Sequence, residues 1–121
     1  DLEIAMELAQ QFQESSCVIL KHGNPCGVAL DKSQHRAFDK ALKCDKVSAF
    51  GGIIAFNKKL SLETAKKIMN LFIEVVIAPR FSEKSKEILS QKKNLVLIQY
   101  NEGKHTTSLH LKTTRNFWDA F

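Results

Sequence analysis

The chain has 121 residues, of which 44% are hydrophobic and 26% are charged, values typical of one globular domain or a piece of one. Its three cysteines (Cys17, Cys26 and Cys44) are too few and odd in number for a disulfide framework, which favours reduced thiols in a cytoplasmic protein. No apolar run approaches the ~18 residues of a membrane helix, so we expect no membrane-spanning segment. The first residue is Asp1 rather than methionine, and we therefore expect a chain processed or excised from a longer one.

The net charge of +5 has two interpretations. A local lysine cluster (Lys84, Lys86, Lys92 and Lys93) could attract a phosphorylated or polyanionic ligand. It could also be an ordinary solvated face. Because no aromatic residues are interleaved with the lysines, as nucleic-acid grooves usually require, we expect a solvated face and no nucleic-acid partner.

Helical and strand patterns alternate along the first half of the chain. Apolar residues at helical spacing predict a first helix that contains Leu2, Ala5, Met6, Ala9 and Phe12. A buried strand is predicted at 17–21, a second helix at about 34–43, and a second strand, entered through glycines, at 51–56.

The alternation continues in the second half. Ser61 is a predicted N-cap for a third helix, whose buried face would comprise Leu62, Ala65, Met69 and Phe72. A third strand follows at 75–78, closed by Pro79, and Ser82 is predicted to cap a short fourth helix that ends near Ser90. With a fourth strand at 95–100, the pattern predicts a layered α/β sheet.

The last twenty residues are harder to interpret. A turn is expected at 101–103, and Leu109 and Leu111 alternate with polar residues like an edge strand. The apolar end at 116–121 is unusual for a complete monomer, which indicates either a partner surface or a chain cut short.

Directly after the apolar run 17–20 of the first predicted strand, the segment 21–27 combines a lysine, a histidine, two glycines and a proline. Open α/β sheets bind ligands beyond the carboxyl ends of their strands, so we place the candidate active site here. Side chains of adjacent strand residues point to opposite faces, so Lys21 and His22 can share a ligand only if the backbone leaves strand geometry at His22; Gly23 permits that bend. His22 could then exchange a proton and Lys21 stabilise a developing oxyanion. Alternatively, both side chains simply face water.

The pair Pro25-Cys26 resembles the ligand loop of the zinc nucleobase deaminases. That signature needs a second cysteine where Ala29 stands and an upstream His-x-Glu, which the sequence lacks. We therefore predict no metal, and interpret Cys26 as a small apolar turn residue.

Two further features each have two interpretations. The segment 48–52 could bring backbone N–H groups close to a ligand, or could be a tight connection that only glycine can make. Glu74 could accept a hydrogen bond from a ligand amine or amide, or remain a helix-end charge in water.

Taken together, four blocks closely resemble the AICAR transformylase domain of the bacterial bifunctional purine-biosynthesis protein, which also has an IMP cyclohydrolase domain. The blocks are Lys21-His22-x-Asn24-Pro25-Cys26-Gly27, 48–57, 74–79 and 92–95. They follow the family's order and spacing and cover about residues 17–97.

The resemblance implies a cytidine deaminase-like α/β/α fold with a mixed sheet. It also implies transfer of a formyl group from 10-formyltetrahydrofolate to the 5-amino group of AICAR, giving FAICAR and tetrahydrofolate. Lys21 and His22 would be catalytic, and Asn24, Phe50, Gly51 and Glu74 would bind the substrate.

The resemblance covers roughly one of the two similar subdomains of that transformylase domain. Residues 101–121 match no block, and we expect the cyclohydrolase domain and the residues that hold the phosphate and much of the folate to lie outside residues 1–121. The resemblance also implies that the active sites draw on both subunits of a homodimer. Because groups that position the substrate are missing, residues 1–121 alone should show little or no turnover. The alternative is a non-catalytic nucleotide-binding or dimerisation module of the same family.

Overall fold

A computed structural model of the chain describes residues 2–44, 51–101, 112–114 and 117–120. The helices in these residues are α1 (Leu2–Gln10), α2 (Gln34–Cys44), α3 (Leu62–Ile68) and α4 (Glu83–Leu89). The strands are β1 (Ser15–Lys21), β2 (Asn24–Asp31), β3 (Ile53–Phe56), β4 (Val75–Ala78), β5 (Val96–Tyr100), β6 (Lys112–Thr114) and β7 (Phe117–Ala120). None of these helices is long and apolar enough to cross a membrane.

All these strands form one mixed sheet in the order β2-β1-β3-β4-β5-β7-β6. Strand β1 is antiparallel to both β2 and β3. Strands β3, β4, β5 and β7 run parallel to one another, and β6 is antiparallel to β7. The predicted α/β class is therefore confirmed.

Helices cover both faces of the sheet. On one face, α2, α3 and α4 bury a large apolar cluster that includes Ala37, Phe38, Ala65, Ile68 and Leu89. On the other face, α1 packs its buried side, Ala5, Met6 and Ala9, against β1, β3 and β4. Alternate side chains of each central strand thus enter different cores, because successive strand residues point to opposite faces.

Serine side chains start α3 and α4, as predicted. The Ser61 hydroxyl accepts a hydrogen bond from the Thr64 N–H, and the Ser82 hydroxyl accepts one from the Ser85 N–H. Each satisfies an N–H that the first helical turn leaves without an intrahelical partner.

A buried glutamine joins α2 to the start of α3. The Gln34 Nε2 donates to the carbonyl oxygens of Lys58 and Lys59 at 3.0 and 3.1 Å. Its Oε1 accepts from the Ser61 N–H at 3.0 Å and from the Thr64 hydroxyl at 2.8 Å. The side chain therefore fixes the turn that follows β3.

A buried asparagine acts similarly between β3 and the loop that precedes β1. The Asn57 Nδ2 donates to the carbonyl oxygens of Phe12 and Glu14 at 2.9 and 2.7 Å. Its Oδ1 accepts from the Ser16 N–H at 2.8 Å. Asn57, which belongs to one of the four sequence blocks, therefore has a structural role.

Two sequence predictions are wrong. Cys26, interpreted as a turn residue, lies in strand β2, which begins at Asn24, lies at the edge of the sheet and was not predicted. Phe72, expected on the buried face of the third helix, is 47% exposed because that helix ends at Ile68 with Met69 as its C-cap.

One lysine of the cluster is only partly exposed. Lys92 is half-buried and its ammonium donates to the Leu71 carbonyl, so it is not part of a purely solvated face. Leu109 and Leu111, expected on an edge strand, lie outside the described residues. The apolar end contributes β7, which pairs with β5.

Candidate functional site

The candidate catalytic pair sits at a two-residue β-hairpin turn. Lys21 ends β1 and pairs with Asn24, the first residue of β2, leaving only His22 and Gly23 between the strands. Both turn residues have positive φ, 56° at His22 and 77° at Gly23, the signature of a type I′ turn. The predicted departure from strand geometry at His22 is therefore present.

The turn lies at the end of the sheet where β1 finishes and the parallel strands β3 and β4 begin. Because β1 runs antiparallel to β3, the carboxyl end of β1 lies beside the amino ends of β3 and β4. The candidate site predicted after the first strand is therefore at the carboxyl end of β1 and at the amino ends of β3 and β4. Sequence periodicity carries no information on strand direction, so this arrangement could not be predicted from the sequence.

An open cleft of about 420 Å³ lies beside this turn. The described residues that line it are Leu20, Lys21, His22, Gly51, Gly52, Ile53, Phe72 and Glu74. The fold thus brings Lys21, His22, Gly51 and Glu74, which are far apart in the sequence, to one cavity.

Backbone hydrogen bonds fix the floor of the cleft. The Gly51 N–H donates to the Phe72 carbonyl at 2.8 Å, and the Glu74 N–H donates to the Gly52 carbonyl at 3.1 Å. The Glu74 carbonyl in turn accepts from the Val96 N–H at 2.9 Å. Gly51 has a φ of +78°, a conformation that strains any residue with a side chain. The Glu74 backbone is therefore held between β3 and β5, while its side chain is exposed.

Two of the six predicted site residues are not placed in the cleft. Asn24 is exposed and its Nδ2 donates to the His22 carbonyl at 3.5 Å, but it does not line the cavity. Phe50 lies outside the described residues.

Sequence reasoning missed Phe72 as a residue of the site. Its ring lies at the cleft, with Cε2 3.4 Å from the position that a Cβ on Gly51 would occupy. Helical spacing assigned it to the core. Its position two residues before Glu74, just before a strand, is the only signal that could have suggested otherwise.

The rest of the first block packs β2 onto α2. The pairing register between β1 and β2 shifts at Cys26, and this half-buried bulge residue packs against the core. Pro25 is on an edge strand, where a missing N–H is tolerated. A Cβ on Gly27 would lie 2.3 Å from the Ala41 carbonyl oxygen, so only glycine fits there.

The cleft offers an ammonium, an imidazole, a carboxylate and an aromatic ring. This set can move a proton, stabilise an oxyanion and accept a hydrogen bond from an amine. Among the described residues, no group of three or more His, Cys, Asp or Glu side chains could hold a metal ion.

A solved structure shares this fold. It is that of a protein described as a formate dehydrogenase accessory protein from Desulfotalea psychrophila, with a TM-score of 0.60 over 69% of this chain and 38% of that one. Because the sequence identity is 15%, the likeness concerns the fold alone.

Sequence comparisons are more specific. Bifunctional purine biosynthesis proteins PurH from Clostridium kluyveri and Clostridium botulinum are 48% and 45% identical over 82% and 84% of the chain. The PurH of Petrotoga mobilis is 43% identical over 84% of it. The matched region is 20% of each relative, so the chain spans about a fifth of their length. The profile of the AICARFT/IMPCHase bienzyme family matches residues 1–118. The chain therefore belongs to the AICARFT/IMPCHase bienzyme family.

Proposed function

We propose that this chain is part of the AICAR transformylase domain of a longer protein of de novo purine biosynthesis, which transfers a formyl group from 10-formyltetrahydrofolate to the 5-amino group of AICAR. The products are FAICAR and tetrahydrofolate, and no metal takes part. The observation that carries the proposal is the cleft in which Lys21, His22, Gly51 and Glu74 meet.

The chemistry requires a base and a stabiliser of negative charge. The 5-amino group of AICAR is a poor nucleophile because its lone pair is delocalised into the ring, so its proton must leave as it attacks the formyl carbon. His22, exposed at the tip of the turn, would take that proton. Lys21 would stabilise the negative charge on the formyl oxygen or assist departure of the folate nitrogen.

The turn geometry supports these roles. Lys21 and His22 line one cleft at a type I′ turn, and positioning of reacting groups can account for a large share of a catalytic rate. A histidine at positive φ is uncommon, and strained residues of this kind cluster at functional sites.

The substrate would be oriented by the opposite wall of the cleft. The Glu74 carboxylate would accept hydrogen bonds from the AICAR base, and Gly51 would let the nucleotide approach the backbone closely. Phe50 would lie beside Gly51, and Asn24 would contact substrate only from the rim of the hairpin.

The wider assignments follow from the family. We propose a cytidine deaminase-like subdomain, supported by a mixed sheet between helices on both faces. In the intact parent we propose a cytoplasmic homodimer that binds AICAR and 10-formyltetrahydrofolate. Since the chain spans about a fifth of its relatives and a misplacement of ~1 Å can cost about a hundredfold in rate, residues 1–121 alone should be nearly inactive.

The proposal is tested with the full-length protein that contains this chain, by following tetrahydrofolate and FAICAR formation. We expect the wild-type protein to be active. We expect the Glu74→Gln variant to bind AICAR at least about tenfold more weakly. Glu63→Gln, a matched change at an exposed glutamate of α3, should leave AICAR binding unchanged. A full-length protein that binds AICAR and forms no FAICAR would instead support the non-catalytic binding module.

A further inference from the structure

A second cleft, of about 680 Å³, lies at the opposite end of the strands from the His22 turn. Its described lining consists of Lys59, Pro79, Arg80, Phe81, Gln99, Tyr100 and Asn101. These residues follow or end β3, β4 and β5, so the cleft lies at the carboxyl ends of three parallel strands, where open α/β sheets commonly bind ligands. The four-residue strands β3 and β4 separate it from the His22 turn by at least about 10 Å.

The backbone holds two cations side by side in this cleft. Leu60 and Phe81 form an isolated parallel β-bridge, in which the Leu60 N–H donates to the Arg80 carbonyl at 2.8 Å and the Ser82 N–H donates to the Leu60 carbonyl at 3.1 Å. Leu60 and Phe81 are buried in the core. Lys59 and Arg80 each precede a bridge residue, so in extended chain their side chains point away from the core on the same side, and both are exposed.

Like charges at opposed positions of neighbouring segments repel each other. The cleft has no acidic residue in its described lining, and no ion pair is found for Lys59 or Arg80 within the described residues. Gln34 fixes Lys59 further by donating to its carbonyl at 3.1 Å. The fold thus maintains a local concentration of positive charge that an anion would relieve.

The neighbouring groups complete a set of donors. The Tyr100 hydroxyl donates to the Phe56 carbonyl at 2.8 Å, which links the carboxyl ends of β5 and β3 beside the cleft. Gln99 and Asn101, on either side of Tyr100, add amide N–H groups. An arginine fork matches phosphate oxygens in a bidentate arrangement, and a lysine adds a point charge. We propose that this cleft binds the phosphate group of a small phosphorylated molecule.

The proposal is tested by titrating the isotopically labelled 121-residue chain with inorganic phosphate, at constant ionic strength against chloride, and following backbone amide NMR signals. We expect saturable changes at Lys59, Arg80, Gln99 and Asn101, with phosphate affinity falling about tenfold in Arg80→Ala. Arg80→Lys should retain part of the affinity. Lys84→Ala, a change at an exposed lysine of α4, should leave it unchanged.

Three results would overturn the proposal. Chloride could produce the same changes, the changes could centre on Lys21 and His22 instead, or Arg80→Ala could bind phosphate normally. A variant spectrum unaltered outside the cleft shows that the loss does not come from unfolding. The phosphate titration needs no turnover, and the cleft lies at the other end of the strands from the His22 turn. Failure of the phosphate proposal would therefore leave the formyl-transfer proposal intact. Failure of the formyl-transfer proposal would likewise leave the phosphate proposal intact.

Discussion

Replacing His22 with asparagine should stabilise the isolated chain. His22 has a φ of 56° in a two-residue turn followed by Gly23. A left-handed conformation costs an ordinary L-residue roughly 1–2 kcal/mol, and Asn-Gly is the preferred dipeptide of a type I′ turn. His22 is exposed, so little packing is lost. Since histidine tolerates this region better than most residues, we expect a net gain of about 0.5–1 kcal/mol.

The assay is equilibrium urea unfolding of wild type and His22→Asn, with thermal unfolding as a second measure. A gain of this size should raise Tm by about 2–5 °C for a chain of this length. Gly23→Ala is the matched control at the next position, and because its φ is 77° it should lose about 1 kcal/mol.

Destabilisation by His22→Asn would contradict this prediction. If His22→Asn destabilises the chain by more than about 0.5 kcal/mol, then His22 contributes contacts that outweigh its strain, and the turn is not a position where function overrides stability. If His22→Asn makes the chain more stable and also slows formyl transfer in the full-length protein, then His22 is retained for function at the expense of stability.

Three further predictions concern the scaffold. Gly27→Ala should lower the free energy of unfolding by about 2–3 kcal/mol, because the new Cβ would lie 2.3 Å from the Ala41 carbonyl oxygen. That oxygen is a backbone atom, which no substitution at residue 41 removes. Adding Ala41→Gly to the same chain should therefore not restore stability in urea unfolding. Gln34→Leu should cost about 2–4 kcal/mol by the same assay, since four hydrogen bonds are lost, and an unchanged midpoint would contradict the role given to this side chain. The Lys40 ammonium, which bonds Asp31 at 2.8 Å, holds the pKa of that carboxyl at about 2. The stability that the ionised Asp31 contributes is therefore complete above a pH of about 4 and is lost as the pH falls through about 2. In Lys40→Ala, NMR titration should show a raised Asp31 pKa. An Asp31 pKa equal to that of the wild type would contradict the role given to Lys40.

Local features of the fold could be predicted from the sequence. The serine caps at Ser61 and Ser82 depend on residues within one helical turn, and both are present. The central strands are short apolar runs, and burial on both faces explains why such runs identify them.

Features that depend on pairing partners could not be predicted. Strand β2 starts with Asn24-Pro25, which has turn chemistry, and carries a bulge at Cys26 that breaks its alternation. It is a strand because β1 and α2 pack against it. The position of Phe72 depends on where α3 ends, which helical spacing alone does not determine.

The candidate site divides in the same way. Lys21 and His22 could be singled out because they follow a buried apolar run and stand at the start of a segment that contains two glycines. That Glu74 and Gly51 lie across the same cleft follows only from the parallel pairing of β3 with β4. That Lys59 and Arg80 are neighbours depends on the Leu60–Phe81 bridge, to which no sequence motif points.

Catalysis by His22 is tested by the formyl-transfer rate of the full-length protein with His22→Ala, with AICAR binding measured on the same preparation. We predict a fall in turnover of at least about a hundredfold with AICAR binding retained, because proton transfer is lost and the substrate contacts remain. His35→Ala, at a histidine of α2 that lies 3.4 Å from Glu63, should keep normal turnover. Near-normal turnover of His22→Ala would contradict the account, and the hairpin would then be a structural turn with the base elsewhere.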